Sequence, residues 1–309
     1  MRGWWQDLTD LVLPAECGGC GAPRTVLCTE CRAALSGAAP RRVRPVPEPP
    51  GLPAVYAAAP YADAVRAALL AHKERGALAL AGALGAALAG AVRAGSREAR
   101  AVRIVASWRG TAEGAVTPTG EGPDGARAPG PVLLVPVPSA RWAVRARGHD
   151  PVRRIALAAA AELRRTGVPA RVVPVLRHRR AVADQSGLNS RQRLANVSDA
   201  LEVTRSGARL LAGGRVVLVD DLVTTGATLT EAARAVRQAT APDGAGETTT
   251  AVYRRATWEG REERTAGSGE EPSKWTRDAP GKARGNALAG PVRAAVIAAA
   301  PDSFEMNRN

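Results

Sequence analysis

Residues 215–229 of the chain read RVVLVDDLVTTGATL. The apolar run predicts a buried strand that ends at two carboxylates, Asp220 and Asp221. A short loop of small hydroxyl residues with one glycine follows, and it leads directly into a helix that begins near Thr228. Backbone N–H groups in such a loop, with a helix N-terminus behind them, bind anions. The stretch therefore predicts a strand–loop–helix unit with a phosphate site at the carboxyl end of the strand.

The side chains of this unit suit different parts of a phosphorylated sugar. Threonine hydroxyls donate to phosphate oxygens, and Gly226 lets the backbone approach a ligand closely. The two carboxylates do not bind phosphate, but they accept hydrogen bonds from vicinal ribose hydroxyls. The alternative is an acidic strand end before an ordinary threonine-capped helix. The predicted phosphate loop comprises Thr224, Thr225, Gly226, Ala227 and Thr228.

Short apolar strands alternate with amphipathic helices on both sides of this unit, which predicts an α/β fold with a parallel sheet. Ligands of open α/β sheets bind at the carboxyl ends of the strands. Near the C-terminus, residues 248–253 and 292–298 are two candidates for a further strand, and the sequence does not choose between them. Strands are also predicted near Val55 and over 132–138 and 171–176, and helices from an N-cap at Asp63 to Arg75, over 77–92, 150–165 and 228–238.

Composition divides the chain of 309 residues into a cysteine-containing module at 1–36, a Pro-rich linker at 37–53 and a larger domain at 54–309. Within that domain, Gly-rich stretches at about 107–130 and 255–289 lack periodicity, which predicts flexible insertions. The first 13 residues predict a short amphipathic helix that is too polar for a secretory signal. We therefore expect a cytoplasmic protein without a membrane span.

The formal net charge of +14 raises the question of a nucleic-acid partner. Arginines are spread along the chain without a dense basic block, so a solvated Arg-rich surface explains the charge as well as a DNA groove does. Aromatic residues make up only 3% of the chain, which argues mildly against a base-stacking platform. Trp108 and Trp142 are expected to serve in packing, and His72 is expected at the surface near a helix end.

Two further loops are candidates for the ligand site. The first follows the strand at 132–138 and carries three arginines, whose guanidinium groups suit a pyrophosphate. The second lies between two predicted strands and is expected to close over the site as a lid. The predicted pyrophosphate loop contains Ser139, Arg141, Arg145 and Arg147, and the predicted lid contains Gln185, Arg191 and Asn196.

All four cysteines lie near the N-terminus in two Cys-x2-Cys pairs, Cys17 with Cys20 and Cys28 with Cys31. Four thiolates at this spacing predict a closed tetrahedral zinc site. Two disulfides are the rival interpretation, and a reducing cytoplasm argues against them. Because four thiolates leave no open coordination position, the zinc is predicted to be structural.

Taken together, these blocks resemble the competence protein F (ComF) family, also described as amidophosphoribosyltransferase-like. The resemblance rests on the cysteine pairs, the Pro-Val-Pro and Arg-Gly block at 136–148, the block from Gln185 to Asn196, and the unit at 220–226. It covers residues 8–36, 54–92, 132–239 and 292–306. One departure is that the family usually has Phe-Asn-Gln where this chain has residues 149–151, His-Asp-Pro.

The resemblance implies a type I phosphoribosyltransferase fold that binds phosphoribosyl pyrophosphate (PRPP) with Mg²⁺. It implies that Asp220 and Asp221 hold the ribose 2′ and 3′ hydroxyls and that residues 224–228 surround the 5′-phosphate. Three functions follow as hypotheses: transfer of phosphoribosyl to an unknown nitrogen acceptor, a non-enzymatic role in DNA uptake and natural transformation with single-stranded DNA or competence proteins as partners, and a PRPP-responsive regulator.

Overall fold

The computed structural model describes residues 16–110, 130–180, 190–241, 288 and 290–307. Its centre is a six-stranded sheet in the order β1-β2-β8-β7-β3-β4, and every neighbouring pair in it is parallel except β1 with β2. The strands are β1 (Arg41–Val43), β2 (Ala54–Pro60), β3 (Val132–Pro136), β4 (Ala170–Val172), β7 (Arg215–Val223) and β8 (Arg293–Ala299). A separate two-stranded sheet pairs β5 (Leu176–His178) with β6 (Leu201–Val203) antiparallel.

Helices cover both faces of the main sheet, as the alternation of strands and helices predicts. The longer α-helices are α1 (Thr29–Ser36), α2 (Asp63–Glu74), α3 (Ala81–Gly110), α5 (Pro151–Arg165), α6 (Ser190–Val197) and α8 (Ala227–Thr240). Two short ones are α4 (Arg141–Arg147) and α7 (Gly207–Leu211), and 3₁₀ turns occupy Leu78–Leu80 and Pro301–Asn307. One apolar core lies between the sheet and α1, α2, α3 and α5, and the other lies beneath α8.

The strand β7 occupies the middle of the sheet because it is apolar on both faces. Residues 216–219 are all buried, and the strand is hydrogen-bonded to β3 on one side and β8 on the other. Parallel strands buried on both faces read as continuous apolar runs. This placement brings the carboxyl end of β7 to the centre of the sheet edge.

The helix α3 packs directly on α5. A Cβ atom added at Gly85 would lie 2.5 Å from the Cβ of Ala158, so the glycine permits the close approach of the two helices. The segment Leu78–Ala99 is long and apolar enough to cross a membrane by length and composition. Half of it is buried inside the fold, with Leu84 and Leu88 in the core against the sheet, which is the packing of a core helix.

Several predicted elements occur close to their predicted bounds, and the C-terminal strand is now identified. Residues 293–299 form β8 between β2 and β7, so the candidate at 292–298 continues the main sheet. The other candidate, 248–253, lies outside the described residues, as does most of the predicted insertions at 107–130 and 255–289.

Three details of the sequence prediction differ from the structure. The stretch 171–176 divides into β4 and β5, which belong to different sheets, because Pro174 interrupts the ladder between them. The N-cap of α2 is Ala62, and Asp63 is the first helical residue with φ of 40°. The helix predicted over 77–92 continues to Gly110. In addition, the Pro-rich range 37–53 contributes β1 to the edge of the sheet.

Candidate functional site

The acid pair lies at the carboxyl end of β7, and a lysine from a distant part of the chain contacts it. The Nζ atom of Lys73, at the end of α2, lies 2.8 Å from Oδ2 of Asp221. The backbone N–H of Asp221 donates to Oδ1 of Asp220 at 2.9 Å. Asp221 is buried, whereas the Lys73 side chain keeps 35% of its exposure. The pair is therefore partly neutralised by one cation that reaches it from the rim of the sheet.

The surroundings shift the pKa values of Asp220 and Lys73. Burial and the neighbouring Asp221 raise the pKa of the Asp220 carboxyl well above its ordinary value, while Lys73 acts in the opposite direction. The charge of Asp221 raises the pKa of Lys73, against the effect of burial. Two adjacent carboxylates share one ammonium group, so the negative charge of Asp220 is not fully compensated. A ligand that carries hydroxyl donors or a positive charge would stabilise the charged form of the acid pair.

Sequence reasoning missed Lys73, and only the fold reveals it. It lies 148 residues before Asp221, in the last turn of an ordinary amphipathic helix. The next residue, Glu74, accepts two hydrogen bonds from the Arg147 guanidinium at 3.1 and 2.8 Å. The end of α2 is therefore tied both to the acid pair and to the loop that the sequence assigned to pyrophosphate.

The predicted phosphate loop connects β7 to α8. Gly226 is the N-cap of α8 with φ of 75°, a conformation that favours glycine. A Cβ atom there would lie 2.9 Å from Cδ1 of Leu52, so any other residue would have to displace this side chain. Thr224 is exposed, and Thr225 and Thr228 are half-buried. The loop thus presents hydroxyl groups and N–H groups at the start of a 14-residue helix, as the sequence predicted.

The predicted lid is described only in part. Gln185 lies outside the described residues. The backbone of Arg191 belongs to α6. The carbonyl oxygen of Asn196, also in α6, accepts a hydrogen bond from Arg180 at 2.9 Å. Arg193 of the same helix reaches Thr224, with Nη1 3.5 Å from the hydroxyl oxygen. Helix α6 therefore borders the phosphate loop, and closure of a lid remains a prediction.

The predicted pyrophosphate loop begins beside the acid pair. The N–H of Val137 donates to the carbonyl of Val219 at 3.0 Å, so the chain leaves β3 one residue from Asp220. Ser139 is half-buried in the following loop. The three arginines come next on α4, and the helix points them in two directions. Arg147 reaches Glu74, whereas Arg141 and Arg145 line a groove with Trp142 on another face.

Residues 148–151 connect α4 to α5, where the sequence predicts the start of a helix at 150. Gly148, with φ of 73°, ends α4, and the Asp150 side chain caps α5 by accepting from the N–H of Arg153 at 3.1 Å. Pro151 occupies the first turn of α5, where its missing N–H costs nothing. The residues at which this chain differs from the ComF pattern thus form the start of α5.

The prediction that His72 is a surface residue is wrong, since the structure buries it completely. Its ring lies edge-on to that of His149, with centroids 5.8 Å apart. Its Nδ1 atom lies 3.3 Å from the carbonyl oxygen of Ala77. Burial lowers the pKa of His72, so the ring is neutral at pH 7. The expectation that Trp142 serves in packing is also wrong, because 61% of this side chain is exposed.

The four cysteines come together as the spacing predicted. The sulfur atoms of Cys17, Cys20, Cys28 and Cys31 all lie within 4.8 Å of one another. A tetrahedral zinc site with Zn–S bonds of about 2.3 Å needs sulfur atoms roughly 3.8 Å apart, so the cluster fits this metal. All four cysteines are free, and the sulfur atoms of Cys20 and Cys28 are 3.6 Å apart. The structure therefore contains a cluster of free thiols instead of two disulfides.

Backbone groups prepare this cluster for a cation. Burial acts to raise the pKa of Cys17, but N–H hydrogen bonds from Cys20, Cys28 and Gly19 outweigh it and lower the pKa to about 6. Burial and the adjacent thiols raise the pKa of Cys31. Cys17 and Cys31 also belong to the apolar core shared with α2 and α3. Two of the four cysteines thus pack in the same apolar core as α2 and α3.

Comparison with known proteins identifies the class of domain. The sequence model of one family, described as "Phosphoribosyl transferase domain", matches residues 154–262, a range that includes the acid pair and the phosphate loop. The chain thus combines a phosphoribosyl transferase domain on a mostly parallel sheet with an N-terminal four-cysteine cluster. No curated protein matches the sequence.

Proposed function

We propose that the protein binds PRPP at the carboxyl end of β7 and belongs with the ComF-like phosphoribosyltransferases. The observation that carries the proposal is the acid pair followed by a glycine-capped anion loop, inside the range that matches the phosphoribosyl transferase family. Asp220 and Asp221 accept hydrogen bonds from the ribose hydroxyls. Residues 224–228 surround the 5′-phosphate with N–H and hydroxyl donors.

The reaction proposed for this site is transfer of the phosphoribosyl group to a nitrogen nucleophile. The bond between ribose C1 and the pyrophosphate oxygen breaks, pyrophosphate leaves with the electron pair, and the nitrogen forms a bond to C1 and loses a proton. Carboxylate oxygens are donors that Mg²⁺ prefers, and the shortage of positive charge at Asp220 makes the acid pair a fitting neighbour for this ion. When bound with PRPP, Mg²⁺ supplies stabilisation of the charge on the departing pyrophosphate.

The chain supplies the rest of the electrostatics. Arg147 already lies at the rim of the site, and its guanidinium group suits a pyrophosphate oxygen pair once it leaves Glu74. Lys73 forms an ion pair with Asp221. Ribose hydroxyls that donate to Asp221 would free the ammonium group of Lys73 for the pyrophosphate. We therefore assign both residues to the pyrophosphate side of the site.

The deciding experiment is calorimetric titration of PRPP, with and without Mg²⁺, into the metal-loaded full chain. The double variant Asp220→Ala/Asp221→Ala should lose at least about a hundredfold in affinity, because hydrogen bonds to charged groups contribute about 1.5–3 kcal/mol each. Arg209→Ala, at an exposed position in α7, is the matched control and should bind as wild type does. Unchanged affinity in the double variant, or no binding by wild type, would refute the proposal.

A second candidate function is a non-enzymatic ComF-like role in DNA uptake and natural transformation, in the cytoplasm, with single-stranded DNA or competence proteins as partners. It is supported by the four-cysteine cluster ahead of the phosphoribosyl transferase domain and by the net charge of +14. Salt-dependent binding of single-stranded DNA without any turnover of PRPP would favour it. Release of pyrophosphate in a screen of nitrogen acceptors would favour the enzyme.

A further inference from the structure

A groove with an unusual lining lies between α4 and the end of β5. Its volume is about 380 Å³. Pockets that hold one small ligand begin at roughly 300 Å³. The groove is lined by Trp142, His178 and the four arginines Arg141, Arg145, Arg179 and Arg180, together with Ala140. Among the described residues, the lining therefore combines one aromatic surface with four guanidinium groups and contains no acidic residue. Two of these groups already have partners: Arg179 is ion-paired with Glu202 at 3.5 Å, and Arg180 donates to the carbonyl oxygens of Asn196 and Ser198.

Packing does not account for Trp142. The side chain is 61% exposed, although aromatic residues are scarce in this chain and an exposed indole contributes little to a core. An open indole face next to guanidinium groups suits a ligand that joins a flat aromatic ring to a negatively charged group. Arg141 and Arg145 lie on the same side of α4 and have no ion-pair or hydrogen-bond partner among the described residues. Their charge is therefore available to a ligand.

The groove is close to the candidate PRPP site but distinct from it. With about 100° between successive residues, Arg141, Trp142 and Arg145 occupy one side of α4 and Arg147 occupies the opposite side. The contact of Arg147 with Glu74 confirms that its side faces α2 and the acid pair. On the groove side, Nε2 of His178 donates to the carbonyl of Pro138 at 3.1 Å, which fixes the end of β5 against the start of the predicted pyrophosphate loop.

The ligand class follows from the number of aromatic surfaces and from the volume. One indole stacks on one base, and a groove of about 380 Å³ holds one small molecule. Guanidinium groups bind phosphate oxygens in pairs. We propose that this groove is a second anion site that binds a single nucleoside phosphate, with the base on Trp142 and the phosphates on Arg141 and Arg145. A nucleotide there would contact the same loop as pyrophosphate at the first site, so it would serve as an effector or second substrate.

The test uses ADP as the probe in calorimetric titrations of the metal-loaded full chain. ADP should bind wild type, and Trp142→Ala should weaken it at least about tenfold through loss of stacking. Trp142→Phe should restore most of the affinity because it keeps an aromatic ring. Arg145→Ala should also weaken ADP about tenfold, while Arg209→Ala, which removes the same charge from an exposed position in α7, should not.

Further arms separate this site from the PRPP site and from other ligands. The variant Asp220→Asn/Asp221→Asn should still bind ADP, and saturating PRPP should not displace it. The proposal is overturned if wild type does not bind ADP at millimolar concentration, if PRPP competes with it, or if inorganic pyrophosphate binds equally well without depending on Trp142. It is also overturned if a ten-residue oligothymidylate binds through Trp142 and ADP does not, because the occupant is then a strand of nucleic acid.

Discussion

The four-cysteine cluster and the acid pair both concentrate ionisable groups, but the chain assembles them in different ways. One short stretch, Cys17 to Cys31, supplies every sulfur atom of the cluster. The acid pair is adjacent in sequence, yet the cation that contacts it comes from 148 residues earlier. A site made of neighbours is encoded by spacing, whereas a site completed by a distant residue depends on the fold. The predictions below test this difference.

The largest effect is expected at the cysteines. Zinc binding by four thiolates contributes on the order of 10 kcal/mol in small zinc modules. Cys31→Ser should abolish metal content, measured by elemental analysis under reducing conditions, and should lower the melting temperature because Cys31 shares the core with α2 and α3. Wild type without metal, or a variant that melts as wild type does, would contradict this prediction.

The next largest effect is expected at Lys73. Lys73→Met leaves the buried carboxylate of Asp221 without its cation and should cost about 2 kcal/mol, reduced from the value for fully buried pairs because the lysine remains partly exposed. Adding Asp221→Asn should recover most of the loss, since the uncompensated charge is then removed. A denaturation double-mutant cycle measures the coupling between the two residues. Additive effects of the two changes would show that the contact is unimportant.

Gly226→Ala should destabilise the protein by about 1–2 kcal/mol, because a left-handed conformation costs other residues about this much. The added Cβ also meets Cδ1 of Leu52 at 2.9 Å, so this side chain must shift. We expect weaker PRPP binding in the same variant. Gly76→Ala is the matched control, since Gly76 has φ of 70° but has no atom within 4 Å of an added Cβ. It should lose stability by a similar conformational cost without any change in PRPP binding.

The smallest effect is a gain in stability. Because the pKa of Asp220 is raised in the folded protein, its charged form costs stability, and wild-type stability should increase as pH falls from the folded pKa toward the unfolded one. Asp220→Asn should remove this pH dependence and raise the melting temperature at pH 7 by a few degrees, about 2–4 °C per kcal/mol. PRPP binding should weaken at the same time. Thermal melts at several pH values, compared with wild type, would reveal a wrong sign at once.

Sequence reasoning gave the strand–loop–helix unit at 215–229 and the four-cysteine cluster because both depend on neighbours. Period and spacing encode which residues follow one another through a buried strand, a phosphate loop or a zinc knuckle. Sequence reasoning did not establish three features of the sheets: the choice of 292–298 as a strand of the main sheet, the division of 171–176, and the strand at 41–43. Those outcomes depend on which segments pair with one another across the sheet.

Only the tertiary structure placed the side chains that complete the sites. It brought Lys73 to Asp221, separated Arg147 from Arg141 and Arg145, buried His72 and exposed Trp142. None of these positions has a local signature. The sequence around a lysine at a helix end, or around a tryptophan among arginines, does not indicate which side of the helix faces the rest of the fold. The sequence by itself predicted the class of ligand that β7 and its loop suit. The positions of α2 and α4 in the fold decided which charges meet there, because electrostatic contacts depend on distance in space and not on distance along the chain.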